Sequence, residues 1–196
     1  MHGRFTALLV AVGAGLGFGA FGALSQAHFE GTLDAFANSI STWLVAAFVV
    51  GALATTGRHA ALAGFAACTF QLLGYYAVNA VRDVGTTSAL VAFWSACAVV
   101  GGPLFGLAGH TWRRGAAQLR GLGTAALAGA FVAEGLYAYA HQLQQYVTGA
   151  LWVTIGVALA LWSSREHPRR LRWLALTVPL GVAGEAALTS VLHRFL

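Results

Sequence analysis

The sequence predicts an all-α membrane protein, a polytopic bundle of about seven transmembrane helices. Of its 196 residues, 58% are hydrophobic and only 9% are charged, and the mean hydropathy is +0.71. Soluble domains carry about 25% charged residues, so this composition excludes an ordinary soluble domain. Apolar runs long enough for a membrane-crossing helix recur along the whole chain. We therefore expect residues 1–196 to form a single transmembrane helical domain.

Seven apolar runs qualify as spans, and the second and sixth are the weakest of them. The first run follows Arg4 and precedes Ser25-Gln26-Ala27, a pattern also typical of a cleaved secretory signal. We expect it to be a retained membrane span. The runs cover residues 5–24, 38–56, 60–81, 87–109, 120–141, 146–163 and 171–193.

The arginines predict the orientation of these spans. Positive charge concentrates in cytoplasmic loops, and nine of the eleven arginines fall in alternate segments that share one side. The N-terminus is therefore predicted to be cytoplasmic and the C-terminus to lie outside. The chain has no Lys, which excludes a lysine Schiff base. Its Arg, Ala and Gly bias indicates a GC-rich bacterial genome, so we expect a multi-pass protein of a bacterial inner (plasma) membrane. The inner arginines are Arg4, Arg58, Arg113, Arg114, Arg120, Arg165, Arg169, Arg170 and Arg172, and the outer ones are Arg82 and Arg194.

Two acidic residues interrupt apolar runs, Glu134 in the fifth and Glu185 in the seventh. A charged side chain at the centre of a membrane helix costs roughly 2.5–3.5 kcal/mol on insertion scales. A buried carboxylate must therefore be neutralised, paired or hydrated. No arginine lies at that depth in a neighbouring predicted span, so we expect a functional role for at least one of the two.

Polar and aromatic residues gather in the outer halves of the spans at helical spacing. Gln71, Tyr75 and Asn79 recur every fourth residue, as neighbours on one helix face do, and Glu134, Tyr137 and His141 follow a similar spacing. Glu185, Thr189 and His193 share a third stripe. These stripes predict a hydrated pocket open to the outside. The candidate substrate-binding residues are Asn38, Trp43, Gln71, Tyr75, Asn79, Trp94, Glu134, Tyr137, Trp152 and Glu185.

The chemistry of these residues predicts binding or uptake of a small polar, aromatic or cationic solute. Carboxylates beside aromatic faces attract cations, and amides fix orientation through hydrogen bonds. A buried Glu that carries a proton during transport is a second interpretation. No catalytic residue, metal site or cofactor is expected, because no HExxH, GxSxG or phosphate-binding loop is present.

Two other classes of protein stay open. In a structural or regulatory membrane subunit, the Gln, Asn and Ser side chains would only join helices through hydrogen bonds. An enzyme acting on a lipid is the third interpretation, and it would need clustered His or acidic ligands. His28, His141 and His193 fall at outer helix ends, but no two of them form a ligand-spaced pair.

The first span carries a stripe of small residues, Ala11, Gly15, Gly19 and Ala23. Small residues at this spacing let another helix approach closely, either within the bundle or in a partner protein. Gly101-Gly102-Pro103 and Pro179 are expected to kink or loosen the fourth and seventh spans.

This layout resembles the substrate-binding S components of energy-coupling factor (ECF) vitamin transporters. The shared features are the size, the small-residue stripe on the first helix, a longer loop at residues 25–37 and the polar, aromatic outer region. The resemblance implies that the stripe contacts a transmembrane coupling subunit and that the outer cavity binds a vitamin or precursor beneath a lid. That family typically has six spans and a cytoplasmic C-terminus, so the predicted seventh span is a departure. The resemblance places Trp43, Gln71, Tyr75, Asn79, Glu134 and Tyr137 around the cavity.

Overall fold

The computed structural model describes residues 2–29, 32–116, 119–164 and 170–192, and every regular element in these ranges is helical. This confirms the predicted all-α class for the described ranges. The elements are α1 (His2–Ser25), α2 (Thr32–Asn38), α3 (Ile40–Leu53), α4 (Gly57–Val81), α5 (Ser88–Arg114), α6 (Arg120–Ala133), a π-helical segment (Glu134–Gln142), α7 (Tyr146–Ser164) and α8 (Arg170–Leu192).

Within the described ranges, six stretches are helical, long and apolar enough to cross a membrane. The chain is therefore a multi-pass membrane protein by the length and composition of its helices. The run predicted at 146–163 is apolar as well, but its helical stretch, Tyr146–Trp162, is shorter than the other six. The six stretches are Leu8–Ser25, Thr32–Leu53, Gly57–Val81, Ser88–Arg114, Arg120–Gln142 and Arg172–Val191.

The second predicted run, 38–56, is divided differently in the structure. Ser39 is extended, with φ −69° and ψ 132°, and it separates α2 from α3. Its hydroxyl oxygen accepts a hydrogen bond from the Thr42 backbone N–H at 3.3 Å, which caps α3 as serine commonly does at a helix start. The helix that continues the run therefore begins at Ile40, and residues 32–38 form a short helix of their own.

The helices group into two compact units. The N-terminal unit comprises residues 1–110 and contains α1 to α4 with most of α5. The C-terminal unit comprises residues 111–196 and contains the end of α5, α6, the π-helical segment, α7 and α8.

The main contact of the N-terminal unit is the packing of α1 against α4. A Cβ atom at Gly15 would lie 2.6 Å from the carbonyl oxygen of Ala67, and one at Gly19 would overlap the carbonyl group of Gln71. From the other side, a Cβ at Gly74 would lie 2.5 Å from the Leu16 carbonyl oxygen. The two backbones can approach this closely only because these positions have no side chain. The small-residue stripe therefore packs within the unit, which was the first of its two interpretations.

Close backbone contact also joins α5 to α3 and α4. Gly106 approaches both Gly51 and the Ala60 carbonyl oxygen, and Gly102 packs on Gly64. The helix α5 continues through Pro103, and α8 continues through Pro179. Proline removes one backbone donor in each helix, but the helical segments extend on both sides of it.

In the C-terminal unit, small residues allow α6 to pack against α7 and α8. A Cβ at Gly156 of α7 would lie 2.7 Å from the Ala128 carbonyl oxygen, and one at Gly181 of α8 would lie 2.8 Å from the Ala133 Cβ. The hydroxyl of Thr177 donates a hydrogen bond to the Ala125 carbonyl oxygen at 2.9 Å. This bond links α8 directly to α6.

We predict that Gly19→Ala destabilises the protein and that Gly13→Ala, on the open face of α1, does not. A methyl group at Gly19 would overlap the Gln71 backbone, whereas one at Gly13 meets nothing within 4 Å. Overpacking of this kind costs about 1–3 kcal/mol, while Gly to Ala in an open helix position gains up to about 1 kcal/mol. Thermal unfolding of both variants in detergent measures the difference. Equal melting temperatures would contradict the α1–α4 contact.

Candidate functional site

The predicted site residues divide between the two units. The N-terminal unit contains Asn38, Trp43, Gln71, Tyr75, Asn79 and Trp94, and the C-terminal unit contains Glu134, Tyr137, Trp152 and Glu185. The side chain of Asn38 lies outside the described residues. The structure shows which of the other residues are brought together within each unit.

The N-terminal unit buries two amide side chains along one stripe of α4. Gln71 is 0% exposed and Asn79 is 2% exposed. The described residues supply no hydrogen-bond partner for Nε2 or Oε1 of Gln71, or for Oδ1 of Asn79. A buried polar atom without a partner costs about 1–3 kcal/mol. Groups of this kind in a native fold need an explanation, and ordered water, an ion or a functional role is the usual one.

The packing of α1 against α4 determines the position of Gln71. Gly19 contacts the Gln71 carbonyl group, and Gly15 lies close to the Gln71 backbone nitrogen. The backbone of α4 is therefore held against α1 at this residue. The side chains of Gln71, Tyr75 and Asn79 then recur on one side of α4 because they are four residues apart.

An aromatic pair lies next to the amide stripe. The rings of Trp43 and Tyr75 meet edge to face, with centroids 5.7 Å apart and planes inclined at 66°. Gly22 of α1 adjoins both rings, since a Cβ there would lie 3.8 Å from each. Tyr75 also contacts the ring of Tyr76 at a centroid distance of 5.3 Å. Half-buried aromatic faces therefore flank the stripe on the side of α3.

The polar ends of this aromatic pair are bonded to the 25–37 segment. The Trp43 indole N–H donates to the Ala37 carbonyl oxygen at 2.9 Å. The Tyr75 hydroxyl donates to Oε1 of Gln26 at 2.8 Å. The segment that the sequence predicts as a lid is thus attached to the two rings by two hydrogen bonds. Residues 30 and 31 of this segment lie outside the described residues.

Arg82 closes the end of the same region. Its Nη1 donates a hydrogen bond to the carbonyl oxygen of Ala23 at 2.6 Å, which ties the end of α4 to the last turn of α1. The guanidinium group thereby satisfies a backbone carbonyl near the end of a helix.

Trp94 shares apolar surroundings with Trp43 and Tyr76. It packs against an apolar cluster formed by Ala47, Cys68, Leu72 and Ala98, and its ring contacts Phe93 at a centroid distance of 5.1 Å. The structure therefore places Trp94 in contact with aliphatic side chains of α3, α4 and α5.

The C-terminal unit brings the two acidic residues together. Glu134 is 3% exposed and Glu185 is half-buried, and their carboxyl groups lie close enough for an electrostatic interaction. The close approach of Gly181 to Ala133 explains this proximity, because Glu134 follows Ala133 and Glu185 lies one turn beyond Gly181. This proximity concerns the two acids alone, and the pocket that the sequence predicts around them stays a prediction.

The predicted stripe of Glu134, Tyr137 and His141 is wrong, because this segment is not α-helical. Residues 134–142 form a π-helix, whose hydrogen bonds join residues five apart. Residues that share a face are consequently four or five apart rather than three or four. Glu134 is buried, Tyr137 is half-buried and His141 is exposed. Tyr137 and His141 face each other instead, with ring centroids 5.6 Å apart.

Trp152 is a packed residue of the C-terminal unit. It is 0% exposed, and its ring contacts Tyr139, at a centroid distance of 5.1 Å, and Phe131, at 6.4 Å.

The third predicted stripe, Glu185, Thr189 and His193, is described only in part. Glu185 and Thr189 are both half-buried, while His193 lies outside the described residues.

The match to a known family covers nearly the whole chain. A family of unknown function, DUF6518, matches residues 1–194. The chain belongs to DUF6518. No curated protein and no solved structure matches the chain. The resemblance to ECF S components therefore stays a prediction for this DUF6518 protein.

Sequence reasoning missed two residues that contact the site. Gln26 lies three residues after Ala23 and continues the face of α1 that meets α4, so the spacing of the small-residue stripe was a usable signal. Tyr139 is buried five residues after Glu134. An α-helical pattern places it on another face, so the sequence held no signal for it.

We predict that Gln71→Met raises the stability of the ligand-free protein. Methionine matches glutamine in length and removes both unpaired polar atoms, whose burial costs about 1–3 kcal/mol each. Leu72→Met, at the adjacent buried position, is the control and should cost less than about 1.5 kcal/mol. Chemical or thermal unfolding in detergent measures both. A less stable Gln71→Met variant would show that the amide joins helices, as the structural interpretation requires.

We predict that Glu185→Gln also stabilises the protein at neutral pH. The substitution keeps the shape of the side chain and removes its charge beside Glu134, and repulsion between like charges at short range is worth on the order of 1 kcal/mol or more. Thr189→Val, one turn further along α8, controls for loss of polarity. A lower melting temperature of Glu185→Gln than of the wild type would indicate that the Glu185 carboxylate makes a net favourable interaction.

Proposed function

We propose that this DUF6518 protein is a membrane-embedded binding or uptake protein that captures a small polar solute from the outer face. The observation that carries the proposal is the amide of Gln71, which is 0% exposed and unpartnered among the described residues. A residue that costs stability in this way is expected where a bound molecule completes its hydrogen bonds. The protein itself would perform no chemistry on the solute.

The proposal includes a membrane topology. We propose seven spans, an N-terminus in the cytoplasm, a C-terminus outside and a bacterial inner membrane as the location. The bias of nine arginines to one side supports this topology, because it alternates correctly over seven spans. In this orientation, Asn79 and the 25–37 segment lie near the outer surface, and Gln71 lies deeper.

The 25–37 segment would control access to the amides. It is attached to the ring pair through the bonds of Trp43 to Ala37 and of Tyr75 to Gln26. These bonds contribute about 0.5–1.5 kcal/mol each, and Thr42 Oγ1 adds a third by donating to the Phe36 carbonyl oxygen at 3.0 Å, so opening of the segment would require all three to break. Such movement is what an access gate requires.

The acids of the C-terminal unit would serve energy coupling rather than solute recognition. Glu134 and Glu185 form an interacting pair inside apolar helices. Acids in that setting commonly carry protons or bind cations in transporters. The amides of the N-terminal unit would instead provide the polar contacts that select a solute.

The docking surface for a coupling subunit is the part of the ECF resemblance that we do not extend to this chain. Ala11, Gly15, Gly19 and Ala23 are all buried, and the two glycines contact α4. A partner could reach this stripe only if α1 left α4. The alternative function is a structural or regulatory subunit, and the tight contact of Gly19 with the Gln71 backbone is the observation that favours it.

We predict that ligand-dependent stabilisation occurs in the wild type and is lost in Gln71→Met. A thermal-shift screen of purified protein would use a library of vitamins, nucleobases, amino acids and small amines. A ligand at 100 times its Kd stabilises the folded state by about 2.7 kcal/mol, a shift that is easily measured. Leu72→Met should keep the wild-type response.

Two results would contradict the proposal. If a ligand stabilises wild type and Gln71→Met equally, Gln71 is not part of the binding site. If no member of the library stabilises the wild type and Gln71→Met unfolds at a lower temperature, the buried amide has a structural role and the alternative function is favoured.

A further inference from the structure

The unpartnered atoms of Gln71 define what kind of group they can bind. A primary amide presents a donor and an acceptor side by side, and here both are unpartnered within the described structure. A single inorganic ion cannot satisfy both atoms, because it cannot accept from Nε2 and donate to Oε1 at once. The complementary group is an edge with an adjacent acceptor and donor, such as a lactam. Glutamine pairs with the edge of adenine in this bidentate way.

The charge of the surrounding spans is the second constraint. The α1 residues from Phe5 to Ser25, all of α3, and α4 from His59 to Val81 contain no Asp, Glu, Arg or Lys. Arg82 is bonded to the Ala23 carbonyl oxygen. Burial of an unpaired charge is far more costly than burial of a neutral polar group. The described acids at this end of the unit, Asp34 of α2 and Asp83 after α4, lie outside those spans, so the spans themselves suit an uncharged molecule.

The spacing of the two amides sets the length of that molecule. Gln71 and Asn79 are eight residues apart on one helix, which corresponds to about 12 Å along the axis. Oδ1 of Asn79 is an acceptor and requires a donor. Tyr75 lies between the two amides in the sequence of α4, and its ring, in contact with that of Trp43, offers apolar surface. A molecule that meets both amides is thus elongated and planar over its central part.

Resting on the proposed function, we infer that the N-terminal unit binds an uncharged, planar heterocycle of about two rings, with a lactam-type edge directed at Gln71 and a hydrogen-bond donor directed at Asn79. The class excludes inorganic ions, which offer no adjacent donor and acceptor. It also separates recognition by amides and rings in the N-terminal unit from the acids of the C-terminal unit.

Four matched probes test this class. Quinazolin-4-one carries the lactam edge, its N3-methyl derivative lacks the donor of that edge, quinoline lacks the edge altogether, and 1-methylquinolinium is a cation of similar size. Equilibrium dialysis or ligand-observed NMR with the full-length protein in detergent measures their affinities. We expect quinazolin-4-one to bind at least about tenfold more tightly than each of the others, a difference of about 1.4 kcal/mol.

Variants test whether Gln71 and Asn79 cause the preference for quinazolin-4-one. Gln71→Met should bring quinazolin-4-one down to the affinity of quinoline, because only the edge contact is lost. Leu72→Met should leave the preference unchanged. Asn79→Leu should leave quinazolin-4-one unaffected but weaken a derivative whose second ring carries a donor on a short arm. Asp34→Asn tests the only Asp or Glu of α2 and should not alter binding of the neutral probe.

The outcomes separate this inference from the proposed function. If 1-methylquinolinium binds best and Asp34→Asn weakens it, the solute is a cation, so the inference fails while solute capture stands. If quinazolin-4-one and its N3-methyl derivative bind equally, Gln71 does not form both hydrogen bonds with the lactam edge, and the inference fails. If no probe binds, the inference fails, and the library screen with Gln71→Met decides the proposed function by itself.

Discussion

The close contact between the backbones of α1 and α4 is the constraint on which the N-terminal unit depends. Gly15, Gly19 and Gly74 bring the two helices together without intervening side chains. In a membrane there is little hydrophobic driving force between helices, so such contacts rely on van der Waals packing. The contact also fixes the rotation of α4, because Gly19 meets the Gln71 carbonyl group. Once α4 is fixed, the positions of Gln71, Tyr75 and Asn79 follow from the helix period, and the 25–37 segment bonds to the rings beside them.

The sequence predicts the fold class and most spans because length and composition determine them. A helix must satisfy its own backbone in lipid, so apolar runs of sufficient length identify helices directly, as at Gly57–Val81 and Ser88–Arg114. The buried amide stripe was also predictable, since α4 keeps the regular period through Gln71 and Asn79. The proximity of Glu134 and Glu185 depends on tertiary packing, because depth in an apolar run does not determine which neighbour a side chain faces.

The features that the sequence did not predict depend on local backbone geometry and tertiary packing. The π-helical segment changes which residues share a face. No residue type in Glu134–Gln142 predicts a π-helix. It turns Tyr137 and His141 away from the buried position of Glu134 and places Tyr139 against Trp152. The break at Ser39 depends on a single capping hydrogen bond. The grouping into two units arises from helix contacts that a one-dimensional pattern does not contain.

The buried amide of Gln71 presents a physical problem of its own. A bundle that only needed to join helices could place leucine or alanine at this position, as it does at Ala67 and Leu72 nearby. Asparagine and glutamine stabilise membrane helices only when they find partners across the interface, and the described residues offer none to the Gln71 amide. The amide is therefore expected to weaken the ligand-free fold, and the stability of Gln71→Met decides between a helix-joining role and a binding role. An account in which a bound molecule completes these hydrogen bonds explains both the burial of Gln71 and the flat aromatic surface beside it.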